Sequence, residues 1–425
     1  MNKYKRIVLK NNLLEKALMG VAVTIPFWLF LNNIAIVITL IVSLFLYSKK
    51  RNFDIKNNIV GILYCLLYLI MVVSFFYSDD KEYGFKVLNR SIFLILFPII
   101  FWIAKFYIKR EVIYKILQAF IMACFAACIL CLIAALYHTW EYAAVNPFNS
   151  SNGNFFSYFN LTAILKAHPI YFGTYIVFSI SILMFDLFLP VSRFSLGKIF
   201  KLLLIAFFIL FTFLLNSFLL ICVLTFIILA LLFYFFKDKN TGISKRVVVL
   251  FFFLMSIPVY FSSNFIIEKF KGVNIIDDLT TRDYSGDDFT AIKARNAKAY
   301  CSIDLIKDNF LFGVGVGDGN KELLKYYLKN NFIHGYKREF NSHNQFLTTF
   351  IYTGVFGFLL LLVIIVSLFY KAIKYKNFYL LSFIIICSCF FITESVLERQ
   401  SGVVFFLFFS GLVSLRNENN SIFTK

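Results

Sequence analysis

The sequence has few of the residues that build metal or disulfide sites. Only four of its 425 residues are histidine, and its eight cysteines form no pair of CxxC units of the kind that holds zinc. Seven cysteines lie in apolar runs, and Cys301 has no evident disulfide partner outside them. Segments of about ten residues with alternating polarity are also missing, which argues against a spanning β-barrel. We expect neither a metal site nor a cofactor.

Apolar residues fill the chain instead. Hydrophobic residues make up 60% of it and aromatic residues 20%, and the mean hydropathy is +0.79. Apolar runs of about 17 to 25 residues recur from end to end, and each is long enough to cross a bilayer as a helix. The sequence therefore predicts an all-α, polytopic helical membrane protein with about twelve transmembrane helices.

The positive charge is distributed in a way typical of a membrane protein. The formal charge of +19 comes from short basic clusters in every second connection, as the positive-inside rule expects of cytoplasmic loops, so we predict no nucleic-acid partner. This alternation places both chain ends in the cytoplasm. We predict transmembrane helices 1–9 in residues 1–263, with the ninth over 247–263. A large periplasmic loop follows in 264–345, with helices near 288–308 and 320–331. Helices 10–12 and a cytoplasmic tail occupy 346–425.

The glycine-rich stretch GVGVGDG, Gly313 to Gly319, lies between the two predicted loop helices. It is similar to a phosphate-binding loop, but the dinucleotide fingerprint needs a preceding strand and a βαβ unit, which the surrounding sequence does not predict. We interpret it as a tight turn that uses positive φ angles.

His343, in FNSHNQFL, lies where the polar loop meets the predicted tenth span. An imidazole titrates near neutral pH, so His343 can accept a proton there from an acceptor arriving from water or lipid. The structural alternative is an interfacial histidine that only hydrogen-bonds Ser342 or Asn344. We include Asn344 among the predicted substrate contacts.

Several charged residues are predicted on the same outer side of the membrane. Arg295 carries a planar fork of donors suited to phosphate, although a solvated helix face explains it as well. Arg90 lies about one turn into an apolar run, where a charge usually faces a cavity or reaches the interface. The other candidates, which can equally be interfacial anchors, are His168 in HPIYFG, and Glu398 and Arg399 in ESVLERQSG. Together they indicate periplasmic chemistry on a lipid-linked substrate.

The order of these motifs resembles the O-antigen ligase family of bacterial membrane proteins, which includes O-antigen polymerases. The resemblance is sharpest between Arg295 and Gly357, in NFLFGVGVGD, NSHNQFL and TGVFG. It implies transfer of a glycan from undecaprenyl pyrophosphate to an acceptor hydroxyl, without a metal. It also implies a protein of the inner membrane whose active site faces the periplasm. His343 matches the family's loop histidine and Arg295 its pyrophosphate-binding arginine. One departure is that Phe218 stands where many members have an arginine, so Arg90 or Arg399 is expected to supply the second positive charge.

Three functions remain open at this stage. The first is ligation of O-antigen to lipid A-core in lipopolysaccharide biosynthesis, and the second is polymerisation of O-antigen or capsule repeat units on a glycan acceptor. Sequence barely separates them, because both need a pyrophosphate site and a periplasmic base. The third is a lipid or polysaccharide transporter, which should show internal repeats and charges at the bilayer midplane; the sequence shows neither pattern.

Overall fold

The computed structural model describes residues 3–50, 59–145, 155–189, 191–237, 284 and 290–415. Every regular element in these ranges is an α-helix or a short 3-10 helix. Within the described residues, six helices are long and apolar enough to cross a membrane: Leu29–Lys49, Ile59–Tyr77, Lys81–Ala104, Arg110–Tyr142, Pro169–Phe188 and Gln345–Lys374. The predicted all-α, polytopic class is confirmed. The total of about twelve spans and the three-part domain division stay predictions, and the predicted ninth span, 247–263, lies outside the described residues.

The helices fall into two compact units. Unit 1 comprises Met1–Asn52, Ile103–Ser263 and Leu415–Asn417. Its helices are α1 (Lys3–Thr24), α2 (Leu29–Lys50), α6 (Arg110–Val145), α7 (Tyr158–Thr162), α8 (Pro169–Phe188), α9 (Lys198–Leu214) and α10 (Phe218–Lys237). Helix α8 is buried along nearly its whole length, because α6, α9 and α10 all pack against it.

A buried ion pair closes the connection between α8 and α9. The ammonium of Lys201 lies 2.5 Å from a carboxylate oxygen of Asp186, and both side chains are almost fully buried. Ser192 also accepts from Lys201, at 2.7 Å, and the backbone N–H of Arg193 donates to Asp186 at 2.6 Å. Lys201 lies in a basic connection of the sequence, but in the structure it is a core residue whose charge is balanced by Asp186.

Unit 2 comprises Phe53–Trp102, Asn264–Ser414 and Glu418–Lys425. Its helices are α3 (Ile59–Tyr77), α4 (Lys81–Ser91), most of α5 (Phe93–Ala104), α11 (Ala291–Asp308), α12 (Gly319–Lys329), α13 (Ile333–Lys337), α14 (Gln345–Lys374), α15 (Phe378–Thr393) and α16 (Gln400–Ser414). The predicted loop helices near 288–308 and 320–331 are confirmed as α11 and α12. On the inner face of α12, Leu323 and Tyr327 are buried, as their helical spacing predicts.

The glycine-rich stretch docks into a break in α14. Gly354 has a φ of +64° inside this helix, so two backbone carbonyls beside the break are left to accept from the loop: Val314 donates to Ile351 at 2.8 Å, and Gly315 donates to Tyr352 at 3.1 Å. Gly313 and Gly315 have positive φ angles, which confirms the predicted tight turn. The stretch is therefore a backbone clamp that fixes the loop to α14.

Candidate active site

The candidate site lies where α14 begins and α15 ends. These helices pack against each other, which brings the NSHNQ segment beside the ESVLE turn that follows α15. The Asn344 amide donates to the Ile392 carbonyl at 3.0 Å, and the backbone N–H of Leu397 donates to the Gln345 side chain at 2.6 Å. Asn344 also caps α14 by accepting from two backbone N–H groups. Two segments more than fifty residues apart in sequence are therefore held in fixed register.

His343 is fixed at both its backbone and its ring. Its φ is +47°, a left-handed conformation that is uncommon for a residue with a side chain. The backbone N–H donates to the Asn341 side chain at 3.1 Å, which stabilises this turn. The ring Nδ1 lies 3.3 Å from a carboxylate oxygen of Glu394, and one third of the His343 side chain is exposed. A histidine that is oriented and still reachable is suited to proton transfer.

A cationic helix face lies beside this histidine. The Lys298 ammonium is 4.8 Å from the centre of the Phe340 ring, and the His343 ring packs edge-on against the same phenyl ring. Lys298 is 7% exposed. Burial, reinforced by neighbouring Arg295 and opposed by Glu394, lowers the pKa of Lys298 to about 8. Arg295 lies one helical turn earlier, with its side chain exposed.

Glu398 is at the centre of a second cluster. Its carboxylate accepts from the Tyr352 hydroxyl and from the Asn341 amide at 2.5 Å. Burial raises the pKa of Glu398, although these two hydrogen bonds, Arg90 and His343 favour its ionised form. Arg90 donates to the Glu398 carbonyl at 3.0 Å and to the Lys86 carbonyl at 3.1 Å. Carbonyl groups thus already occupy two of its guanidinium donors.

The structure brings together most, but not all, of the residues singled out in the sequence. His343, Asn344, Glu398 and Arg90 are linked by the contacts above, and Arg295 joins them through Lys298. The two remaining residues are Arg399 and His168. Arg399 is exposed and follows the Val396–Glu398 turn. His168 lies in unit 1, where its Nδ1 accepts from the Ile170 N–H at 3.3 Å and caps α8.

Sequence reasoning did not identify three contacts of this site. The pairing of Glu394 with His343 joins positions 51 residues apart, and no local pattern signals it. Asn341 stands in the NSHNQ phrase, but its bridging role depends on the three-dimensional approach of Glu398. Tyr352 appears in the sequence as one more aromatic residue of an apolar span. The sequence offers one signal for these contacts. Glu394 lies directly after an apolar run, and an acidic residue near a membrane usually has a partner.

Comparison with known proteins adds one finding. Residues 200–362 match a protein-family model described as O-antigen ligase. The matched segment is less than half of the chain, but it contains Arg295, Lys298 and His343, and it ends before Glu394. No curated protein matches the chain. The match agrees with the all-helical, multi-pass architecture and indicates an enzyme that transfers glycosyl groups. Over residues 200–362 the chain is thus similar to the O-antigen ligase family.

Proposed function

We propose that this protein transfers a glycan from undecaprenyl pyrophosphate to a sugar hydroxyl, and that the acceptor is lipid A-core in lipopolysaccharide biosynthesis. The observation that supports it best is the shared Phe340 ring. The His343 ring makes a T-shaped contact with it, and the Lys298 ammonium lies over it, 4.8 Å from its centre. A base and a cationic surface are therefore neighbours, as transfer from a pyrophosphate donor requires.

The distribution of charge along α14 supports a periplasmic active site in the inner membrane. The site is at the N-terminal end of this 30-residue helix, and Lys371 and Lys374 are in its last turn. The 20 residues that follow the break at Gly354 rise roughly 30 Å at 1.5 Å per residue, enough to cross the hydrocarbon core of a bilayer. Basic residues favour the cytoplasmic side, so the site end is outside.

The reaction follows from these positions. The Nε2 atom of His343 takes the proton of the acceptor hydroxyl as its oxygen attacks the anomeric carbon of the donor sugar. The bond from this carbon to the pyrophosphate oxygen breaks, and the lipid pyrophosphate leaves with the electron pair. Arg295 and Lys298 stabilise the negative charge of the leaving group, with no metal taking part. A positioned base of this kind contributes roughly 10²- to 10⁴-fold to the rate.

Lys298 is a better candidate for the second positive charge than Arg90. The Arg90 guanidinium is engaged by the carbonyls of Glu398 and Lys86, whereas the Lys298 ammonium faces the ring that His343 also contacts. We keep Arg90, Arg399 and His168 as proposed glycan or pyrophosphate contacts. Asn344 and Glu398 are proposed to hold the NSHNQ segment in place for the donor.

The test is the lipopolysaccharide banding pattern of a strain that lacks the gene, complemented with wild type or His343→Ala. Ligation predicts that the deletion strain shows bare lipid A-core while long polymer accumulates on the lipid carrier, and that His343→Ala fails to restore the ladder. If single repeat units still reach lipid A-core without a ladder, the protein is a polymerase. If His343→Ala, inserted normally, restores the wild-type pattern, His343 is not the base.

A further inference from the structure

We infer that Glu394 is the positioning residue that fixes the protonation state of the His343 ring. In this arrangement Nδ1 carries the hydrogen and donates to Glu394, which leaves Nε2 as the basic atom. The inference rests on the proposed function, because it assigns a role within the same reaction. Glu394 lies outside the segment that matches the family model, and it comes to His343 only through the fold.

The geometry around the ring supports this assignment. Nδ1 of His343 is 3.3 Å from a Glu394 oxygen, and the carboxylate-bearing side chain is 12% exposed. A carboxylate can only accept hydrogen bonds, and a neutral imidazole has one N–H donor. A carboxylate at Nδ1 therefore selects the form with Nδ1–H, and the lone pair falls on Nε2.

The backbone of His343 is held by a second carboxylate from the same turn. Its N–H donates to Oδ1 of Asn341 at 3.1 Å, and Nδ2 of Asn341 donates to Glu398 at 2.5 Å. Glu394 thus orients the ring directly, while Glu398 fixes the backbone through an amide bridge. Glu394, directly after α15, and Glu398, in the Val396–Glu398 turn, therefore hold His343 at its ring and at its backbone.

Three charged groups surround the ring. Glu394 contacts it directly, Glu398 interacts with it electrostatically, and Lys298 lies across Phe340. When Nε2 takes a proton the ring becomes a cation, and the adjacent Glu394 carboxylate stabilises it. Glu394 should therefore affect mainly the chemical step. It also favours the charged form of Lys298, so kcat and KM are compared at a pH well below about 8, where Lys298 keeps its proton and donor binding should change little.

The experiment uses the full-length protein in lipid nanodiscs. The donor is lipid-linked glycan extracted from the deletion strain, and the acceptor is bare lipopolysaccharide core from the same cells. Glu394→Gln keeps the size but removes the charge, and we expect it to lower kcat about 10²-fold with KM for the donor within about threefold of wild type. Glu394→Asp should recover part of kcat, because the carboxylate is restored one methylene short.

The chain contains a matched control. His138 and Glu141 form a second histidine–glutamate pair at 3.4 Å, with both side chains about half exposed. Glu141→Gln removes an equivalent contact away from the site and should leave kcat unchanged. The double variant of Glu394→Gln with His343→Ala should be no slower than His343→Ala alone, because the carboxylate acts through the ring.

Nitrogen-15 NMR of histidine-labelled protein reports the ring directly and does not depend on turnover. We expect the His343 signal to show Nδ1–H in the wild type and a mixture of both forms in Glu394→Gln. A wild-type signal with Nε2–H, or full activity of Glu394→Gln beside an inactive His343→Ala, overturns the role of Glu394 and leaves the proposed function intact. Full activity of His343→Ala would instead show that His343 is not the base.

Discussion

Lys298 should make the protein less stable than it would be with an apolar side chain at this position. Its ammonium is buried between α11 and the Phe340 ring, and its pKa falls from 10.5 to about 8. That lowering corresponds to roughly 3 kcal/mol of unfavourable free energy at pH 7. Lys298→Met keeps the unbranched stem and allows a sulfur–aromatic contact with Phe340. We expect it to raise the free energy of unfolding by up to about 3 kcal/mol and to weaken glycan transfer.

The stability difference between wild type and Lys298→Met should depend on pH in a defined direction. Because the folded pKa of Lys298 is lower than the unfolded one, the unfolded chain holds a proton between pH 8 and 10.5 that the folded protein has released. The free energy of unfolding of the wild type should therefore rise as the pH increases from about 8 to 10.5. Lys298→Met lacks the group, so the difference between the two proteins should shrink as the pH rises and vanish above about 10.5.

The assay is unfolding by sodium dodecyl sulfate in mixed micelles of fixed composition, followed by circular dichroism at pH 7 and near pH 10.5. Lys307→Met, on an exposed position of the same helix, is the control and should change stability by no more than about 0.5 kcal/mol. A loss of stability in Lys298→Met at pH 7, or an equal difference at both pH values, would refute the argument from burial.

Three further substitutions test the fold, two of them beside the site in unit 2 and one in the core of unit 1. Gly354→Ala adds a Cβ 2.1 Å from the Leu311 carbonyl at a φ of +64°. It should lower the free energy of unfolding by at least about 2 kcal/mol and expose the loop to protease. The control Gly20→Ala, with open space around its Cβ, should do neither. Tyr352→Phe removes a donor to the turn carboxylate, so it should cost about 1.5–3 kcal/mol at pH 7 and less near pH 4, where that carboxylate is protonated. Lys201→Met leaves a buried carboxylate without its ammonium partner and should lower the unfolding free energy by about 3–5 kcal/mol in the same micelle assay.

Local patterns were enough to predict the elements of the fold. Apolar run length predicted spanning helices, and the spacing of Leu323, Leu324, Tyr327 and Leu328 predicted α12, because a buried helical face repeats every three to four residues. Of these four, Leu323 and Tyr327 are buried and Leu328 is exposed. The apolar run that contains Arg90 was less straightforward. It is divided at Ile92 into α4 and α5, and α4 begins at Lys81 because Asp80 caps it.

The site was only partly accessible from sequence. His343 stood out because a titratable residue is rare beside an apolar run, and Arg295 because its position matches an arginine of the family that the sequence resembles. Their partners did not, since Glu394 and Tyr352 gain meaning only when α15 packs against α14 and brings their side chains to the loop. Lys298 did not stand out either, because local sequence does not reveal that a lysine is buried.

The two carboxylates after α15 also have a consequence for the order in which the enzyme is made. The loop that carries Arg295 and the segment that carries His343 leave the ribosome before Glu394 and Glu398 do. Until α15 and the following turn are in place, His343 has neither the carboxylate beside its ring nor the amide bridge to Glu398. A nascent or truncated chain therefore has His343 without these contacts, and under the proposed function transfer requires that the C-terminal helices have been inserted.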